Sequence, residues 1–175
     1  MAPADMLTAQ DLQDRRLVLL QRMPVFGALR EDTLDFLLSA TRERAVSAGG
    51  YFFRQGERAL SMFVLESGRV TVRRSWANRE MLLRTLGAGD CFGEMALMDL
   101  SARSASVRAE SDCLAIEITP GDLQALFERD AEQFAIIQMN IGREVCRRLR
   151  ATDELLFRAT MGEPPAGVDT VFQTL

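Results

Sequence analysis

Between Arg44 and Ile118 the chain is written in short runs separated by glycine, and this restricts the folds open to it more than any other feature. Residues 45–48 stop at Gly49-Gly50, residues 51–54 at Gln55-Gly56-Glu57, and residues 62–66 at Ser67-Gly68. Residues 69–74 alternate valines with polar side chains, a Trp76-Ala77-Asn78 loop leads into residues 81–86, and residues 113–118 alternate again. Runs this short and evenly spaced suit a sandwich or barrel rather than a doubly wound sheet.

Helical patterns flank this region. Thr8-Ala9-Gln10-Asp11 has the form of a capping box, and a helical run with Leu12, Leu17, Leu19 and Leu20 follows until Pro24 stops it. A short apolar turn over residues 24–29 leads to a second helix near residues 32–41. On the other side, Thr119-Pro120-Gly121-Asp122 predicts a helix start, with Thr119 as cap and Pro120 in first position, running to about Arg129. A longer helix after Asp130 carries Phe134, Ile137, Ile141, Val145, Leu149, Thr152 and Leu156 at steps of three and four. At about 25 residues it spans roughly 38 Å, more than one small domain needs, so its apolar stripe is expected to find a partner.

The 175 residues are enough to bury a core without staples, and a composition of 47% hydrophobic and 26% charged residues is that of an ordinary globular protein. A net charge of −4 gives nothing that invites nucleic acid or an acidic membrane surface. With no apolar run of spanning length and no secretion signal, a cytoplasmic protein is expected. Arg73, Arg74 and Trp76 read as a solvated hairpin edge. The three cysteines, Cys91, Cys113 and Cys146, lie far apart without a C-x-x-C pair, so buried thiols are expected rather than a disulfide framework or a zinc site. No histidine is present, which removes the usual general base and most metal sites and argues against an enzyme.

Residues 92–109 carry the chemistry: Phe-Gly-Glu-Met-Ala-Leu-Met-Asp-Leu-Ser-Ala-Arg-Ser-Ala-Ser-Val-Arg-Ala. After the turn Gly87-Ala88-Gly89-Asp90 and Gly93 there is room for about one helical turn, residues 94–97, whose first N–H groups lack intrahelical partners and suit one anion. Arg103 can close over the same anion, and Glu94 adds an acceptor suited to a hydroxyl. Alone, Glu94 reads equally as an acid at a helix start and Arg103 as a surface cation; their joint spacing selects a ligand with one negative charge and a neighbouring hydroxyl.

This stretch resembles, without a gap, the phosphate-binding cassette of the cyclic nucleotide-binding domain family. The resemblance implies that Glu94 accepts from the ribose 2′-hydroxyl and that Arg103 pairs with the cyclic phosphate. It also implies that the N–H groups of Ala96 and Ser104 complete the cradle and that Gly93 permits close approach, with Met95 counted in the same turn. Ala102 stands where the family often has proline, and Ser104 where kinase regulatory subunits have alanine. The implied fold is mainly β with flanking helices, an α+β jelly-roll-like β-roll of about eight short strands. Its expected layout is one domain over 1–158, with N-terminal helices in 1–43, the roll in 44–118, two C-terminal helices in 119–158, and a disordered tail over 159–175.

Residues 147–153 are similar to the end of the dimerisation helix in the catabolite activator group, where a Thr-Ser pair contacts adenine. Thr152 matches the threonine, whereas Asp153 replaces the serine. Asp153 reads equally as a solvated helix acid or as an acceptor for adenine or guanine N–H groups. The resemblance therefore implies a stand-alone receptor for a cyclic nucleotide, cyclic AMP favoured over cyclic GMP through Thr152. It would bind no metal, form a homodimer through the 131–157 helix, and signal by a conformational change to an effector protein. A helix-turn-helix unit is not expected, since the residues after the long helix are too few to build one. The alternatives are an interaction module independent of nucleotide and the sensory part of a DNA-binding regulator.

Overall fold

The computed structural model describes residues 9–77 and 79–162. Thr8 of the expected capping box, Asn78 of the expected loop, and residues 163–175 of the expected tail lie outside them.

Eight antiparallel strands form two four-stranded sheets. One sheet has the order β1 (Arg42–Val46), β8 (Cys113–Ile118), β3 (Met62–Ser67), β6 (Cys91–Phe92). The other has the order β2 (Tyr51–Phe53), β7 (Ser106–Ala109), β4 (Arg69–Trp76), β5 (Arg79–Gly87). This is the expected α+β roll. Period-two alternation sorts the side chains of the first sheet onto two faces. Met62, Val64, Cys91, Ile116 and Ile118 pack outward against helices, whereas Phe63, Leu65, Phe92, Cys113 and Ala115 pack inward against the second sheet. The molecule therefore has two apolar clusters back to back across one sheet.

The helices α1 (Ala9–Gln21), α2 (Glu31–Ala40), α4 (Pro120–Arg129) and α5 (Ala131–Thr160) cover the outer face. A 3-10 turn, Pro24–Phe26, buries Val25 and Phe26 where a short apolar turn was expected. α4 has the predicted cap: the Asp122 N–H donates to Thr119 Oγ1 at 3.2 Å and the Thr119 N–H donates back to Asp122 Oδ2 at 2.7 Å. α5 is docked by side chains reaching backbone, with Gln133 Oε1 accepting from the Arg30 N–H and Asn140 Nδ2 donating to Gly27 O.

Some boundaries differ from those read off the sequence. β1 begins at Arg42 and ends at Val46 rather than spanning 45–48; its first four residues are all exposed, so no alternation marks it. β4 runs on through Trp76 and β5 starts at Arg79, because cross-strand pairing reaches Trp76↔Arg79. β6 is a two-residue strand with no periodicity to read. α5 continues to Thr160, so the tail expected from residue 159 begins inside a helix. Cys91 and Cys113 are buried, but Cys146 is exposed on the outer face of α5.

A bulge shapes the second sheet. Val72 pairs with Arg84 and Arg73 with Leu82, which leaves Leu83 as the extra residue on β5. A bulge turns neighbouring side chains toward one side. Leu83 and Arg84 accordingly both line the same cavity.

Candidate functional site

The inner face of the roll is floored by phenylalanines. Phe52, Phe63 and Phe92 stand with ring centroids 5.0 to 5.4 Å apart, and Phe53 joins them from β2. Over this floor runs the stretch from β6 to β7, holding the short helix α3 (Met95–Asp99). α3 has five residues and ends at Leu100, whose φ of 54° is left-handed. Beside it lies a cavity of about 620 Å³, within the range of sites for small molecules.

Arg103 is placed by backbone from three segments. Its own N–H donates to Glu57 O and its carbonyl accepts from the Gly56 N–H, both at 2.9 Å, so the Gly56-Glu57 turn fixes its position. Its Nη1 donates to Gly93 O at 3.1 Å and its Nη2 to Ser61 O at 2.6 Å. The guanidinium lies 3.9 Å above the centre of the Phe53 ring, a cation–π contact, and the residue is 6% exposed. Burial lowers its pKa, with Glu117, Glu57 and Glu94 acting in the other direction. Glu117 is itself held by a 2.7 Å hydrogen bond from Ser61 Oγ. Nε of Arg103 is buried without a partner.

Gly93 makes this arrangement possible. Its φ is +79°, and a Cβ built on it would stand 2.7 Å from Arg103 Nη1 and 3.2 Å from Phe53.

Glu94 is 2% exposed. Its Oε1 accepts from Arg148 Nη1, and its Oε2 is buried with no partner. Arg148 also donates to Cys91 O at 3.0 Å and to Glu144 Oε1 at 2.8 Å, so one guanidinium joins α5 to the cassette. Burial by itself would lower the pKa of Arg148, but Glu94 and its other partners outweigh that and raise it. The Cys91 thiol is pushed up to about 12 by burial and is no nucleophile at neutral pH.

The structure brings six of the eight residues singled out in the sequence to this cavity: Gly93, Glu94, Met95, Arg103, Ser104 and Thr152. Ala96 lies in the first turn of α3. Asp153 is exposed and does not line the cavity, because it sits one residue, about 100°, round α5 from Thr152. Thr152 Oγ1 donates to Arg148 O at 2.9 Å; a carbonyl can only accept, so the hydroxyl oxygen keeps lone pairs free. Arg148, Arg84 and Arg74 also line the cavity, though the sequence did not single out the first two and placed Arg74 on a solvated edge. Arg148 stands one helical turn before Thr152, and that i, i+4 step is the signal that places both on one face. Among the described residues no group of histidine, cysteine or carboxylate side chains can hold a metal, and no helix is long and apolar enough to cross a membrane.

The chain is 32% identical over 131 residues to the Cyclic AMP receptor protein of Thermus thermophilus, an alignment covering 74% of this chain and 59% of that one. It is 36% identical over 104 residues to a cGMP-dependent protein kinase, isozyme 2, of Drosophila melanogaster, covering 56% of this chain and 11% of the kinase. The crystal structure of the Thermus thermophilus Catabolite Activator Protein superposes with a TM-score of 0.71 at 31% identity, over 78% of this chain and 63% of that one. The chain thus spans less than two thirds of the length of each of these relatives. The family model for the cyclic nucleotide-binding domain matches residues 43–130, from β1 to the end of α4, and this chain belongs to that family.

Proposed function

We propose that the chain is a receptor for a cyclic mononucleotide, with Glu94 accepting from the ribose hydroxyl and Arg103 donating to the cyclic phosphate. One observation carries the reading. Among the described residues, the buried side-chain polar atoms without a partner are Glu94 Oε2 and Arg103 Nε, an acceptor and a donor on two residues that line the same cavity. Leaving such atoms unpaired is costly, and a ligand with a hydroxyl beside an anionic oxygen satisfies both. The cradle is completed by backbone N–H groups of Ala96 and Ser104.

Cyclic AMP is favoured over cyclic GMP. Thr152 Oγ1, its proton committed to Arg148 O, is an acceptor, and it fits the 6-amino group of adenine better than the 6-carbonyl of guanine. Arg148 then links occupancy to α5, whose altered docking is the output read by an effector protein. Met139, Leu149, Leu156 and Phe157 leave an apolar stripe exposed along α5, which supports a homodimer through that helix. The chain acts by binding and not as an enzyme, and does so in the cytoplasm.

The test is calorimetric titration of ligand-stripped protein with cyclic AMP and, separately, cyclic GMP. Micromolar or tighter binding of cyclic AMP is expected. Arg103→Ala is expected to cost about 3–5 kcal/mol, or roughly two to three and a half decades of affinity, since it removes one partner of a buried charge pair. Silence for both nucleotides rejects the receptor and leaves a nucleotide-independent interaction module. A second reading, the sensory part of a DNA-binding regulator, is favoured by the likeness to the Catabolite Activator Protein. It is tested by whether the native gene continues past Leu175 into a helix-turn-helix unit.

A further inference from the structure

A second cavity, of about 500 Å³, opens beside the first where three parts of the chain meet. The 3-10 turn supplies Pro24 and Val25, the end of β5 supplies residues 84–87, the turn after it Gly89 and Asp90, and α5 supplies Glu144, Arg147 and Arg148. Its lining is unlike that of the nucleotide cavity. No aromatic side chain faces it, so it offers no platform for a base.

Charge is its main feature. Four guanidinium groups, those of Arg69, Arg84, Arg147 and Arg148, line it against the two carboxylates of Asp90 and Glu144. Both carboxylates are engaged already. Asp90 Oδ2 accepts from the Gly87 N–H at 2.8 Å, and Glu144 is paired with Arg147 and with Arg148. Arg69 makes no ion pair among the described residues. Arg84 and Arg148 line both cavities, and the pKa of Arg84 is lowered first by burial and then by the charge of Arg148, with Glu144, Glu94 and Asp90 acting in the other direction. Two like charges held together in a partly buried wall are stabilised by an anion shared between them.

We propose that this second cavity is a binding site for a small phosphate-class anion, inorganic phosphate or pyrophosphate, held by Arg69, Arg84 and Arg147. Guanidinium forks match phosphate oxygens two at a time, which a single point charge cannot do. Because the walls come from the 3-10 turn, the roll and α5, the anion fastens α5 to the roll at a point separate from Glu94.

The two cavities share Arg84 and Arg148, but the two readings can be tested separately, since Arg69 and Arg147 line only the second cavity and Glu94 and Arg103 only the first. The experiment is titration of the full chain with inorganic pyrophosphate in a phosphate-free buffer at constant ionic strength, followed by calorimetry and by hydrogen exchange. Citrate serves as a carboxylate control. The expected result is saturable one-to-one binding that slows exchange over residues 84–91 and 144–150. Arg69→Ala and Arg147→Gln, both changes at solvent-accessible side chains, are expected to weaken it about tenfold each while cyclic nucleotide affinity stays within about threefold. Arg103→Ala is expected to leave pyrophosphate binding intact. The proposal is overturned by absence of saturable binding, by equal binding of citrate, or by no loss in the Arg69 and Arg147 variants. Loss of pyrophosphate binding in Arg103→Ala also overturns it, because the anion would then be seated in the nucleotide cavity. A protein that binds pyrophosphate in this way but no cyclic nucleotide keeps this site and loses only the receptor reading.

Discussion

Arg148 donates to one oxygen of Glu94 from 54 residues away in sequence, and the other oxygen of that carboxylate has no partner. The same guanidinium holds Cys91 O and Glu144, so the packing of α5 on the roll and the state of the cassette share one side chain. Arg148→Met strands a carboxylate that is 2% exposed. A loss of about 3 kcal/mol is expected, which lowers the thermal midpoint by roughly 6–12 °C. Chemical denaturation of the two single variants and of Glu94→Gln with Arg148→Met is the check. The double variant should recover part of the loss, and strict additivity of the two changes would remove the pair from this account.

Gly93→Ala tests the backbone at the cassette. The substitution forces a side chain onto a φ of +79°, about 1–2 kcal/mol of strain, and pushes a methyl group against Arg103. Nucleotide affinity should fall by more than about tenfold while the fold survives, as read by titration and circular dichroism on the same sample. Affinity unchanged in a folded variant would mean the guanidinium has slack that its contacts do not show.

On the proposed reading, base preference is expected to depend on Thr152 and not on its neighbour. Thr152→Val removes the acceptor and should lower the ratio of cyclic AMP to cyclic GMP affinity by about tenfold. Asp153→Ala should move that ratio by less than about threefold, because its carboxylate lies off the cavity. The reverse order in paired titrations would put the base against a different part of α5.

Acid should fray the start of α5. Asp130 caps it, Oδ1 accepting from the N–H groups of Glu132 and Gln133 at 3.1 Å and Oδ2 pairing with Arg30. The bond from Gln133, followed by Arg30, holds the carboxylate below its usual value near 3.8. A depressed folded value means the contribution is complete above that usual value and disappears as pH falls through the lower, folded one. Asp130→Asn keeps a capping oxygen that does not titrate. The stability difference between wild type and variant should therefore be flat from neutral pH to about 5 and shrink below about 4. A difference that stays constant into strong acid would show that the carboxylate is not coupled to folding.

Leu149→Glu tests the outer face of α5. The side chain is exposed, so the variant should fold with a change in monomer stability of less than about 0.5 kcal/mol. Light scattering should report a dimer for the wild type and a monomer for the variant. A wild type that is monomeric at all concentrations and nucleotide levels removes the dimer.

The strands that announced themselves in the sequence were apolar runs bounded by turn residues, including two that are buried on both faces. Residues 113–118 alternate visibly and appear at those bounds, as does the reciprocal Thr119–Asp122 cap. β1, with Arg42, Glu43 and Arg44 all exposed, carries no such signal, and a two-residue strand such as β6 has none to carry. The cassette was legible because its residues are consecutive. Its supports were not, for two physical reasons. Arg103 is held by the carbonyls of Ser61 and Gly93, and every residue has a carbonyl, so nothing in the side-chain sequence marks them. Arg148 sits in a run of arginines, and which of these meets Glu94 depends on the rotation of α5 against the roll. Arg84 reaches the cavity beside Leu83 only because a bulge breaks the alternation of β5.

The back-to-back apolar clusters have a consequence for how the molecule opens. The helices share their cluster with the outer face of the first sheet, whereas the inner cluster is packed between the two sheets and borders the cavity through Phe53, Leu86, Phe92 and Val107. Detaching α5 thus exposes part of the first cluster and widens the mouth of the cavity, but leaves the sheet-to-sheet packing of the second in place, so the two layers are expected to open with separate free energies. Amides of β3 and β8, which belong to both layers, should be the last in the chain to exchange, and fluctuations of the helical layer should stop at that shared sheet.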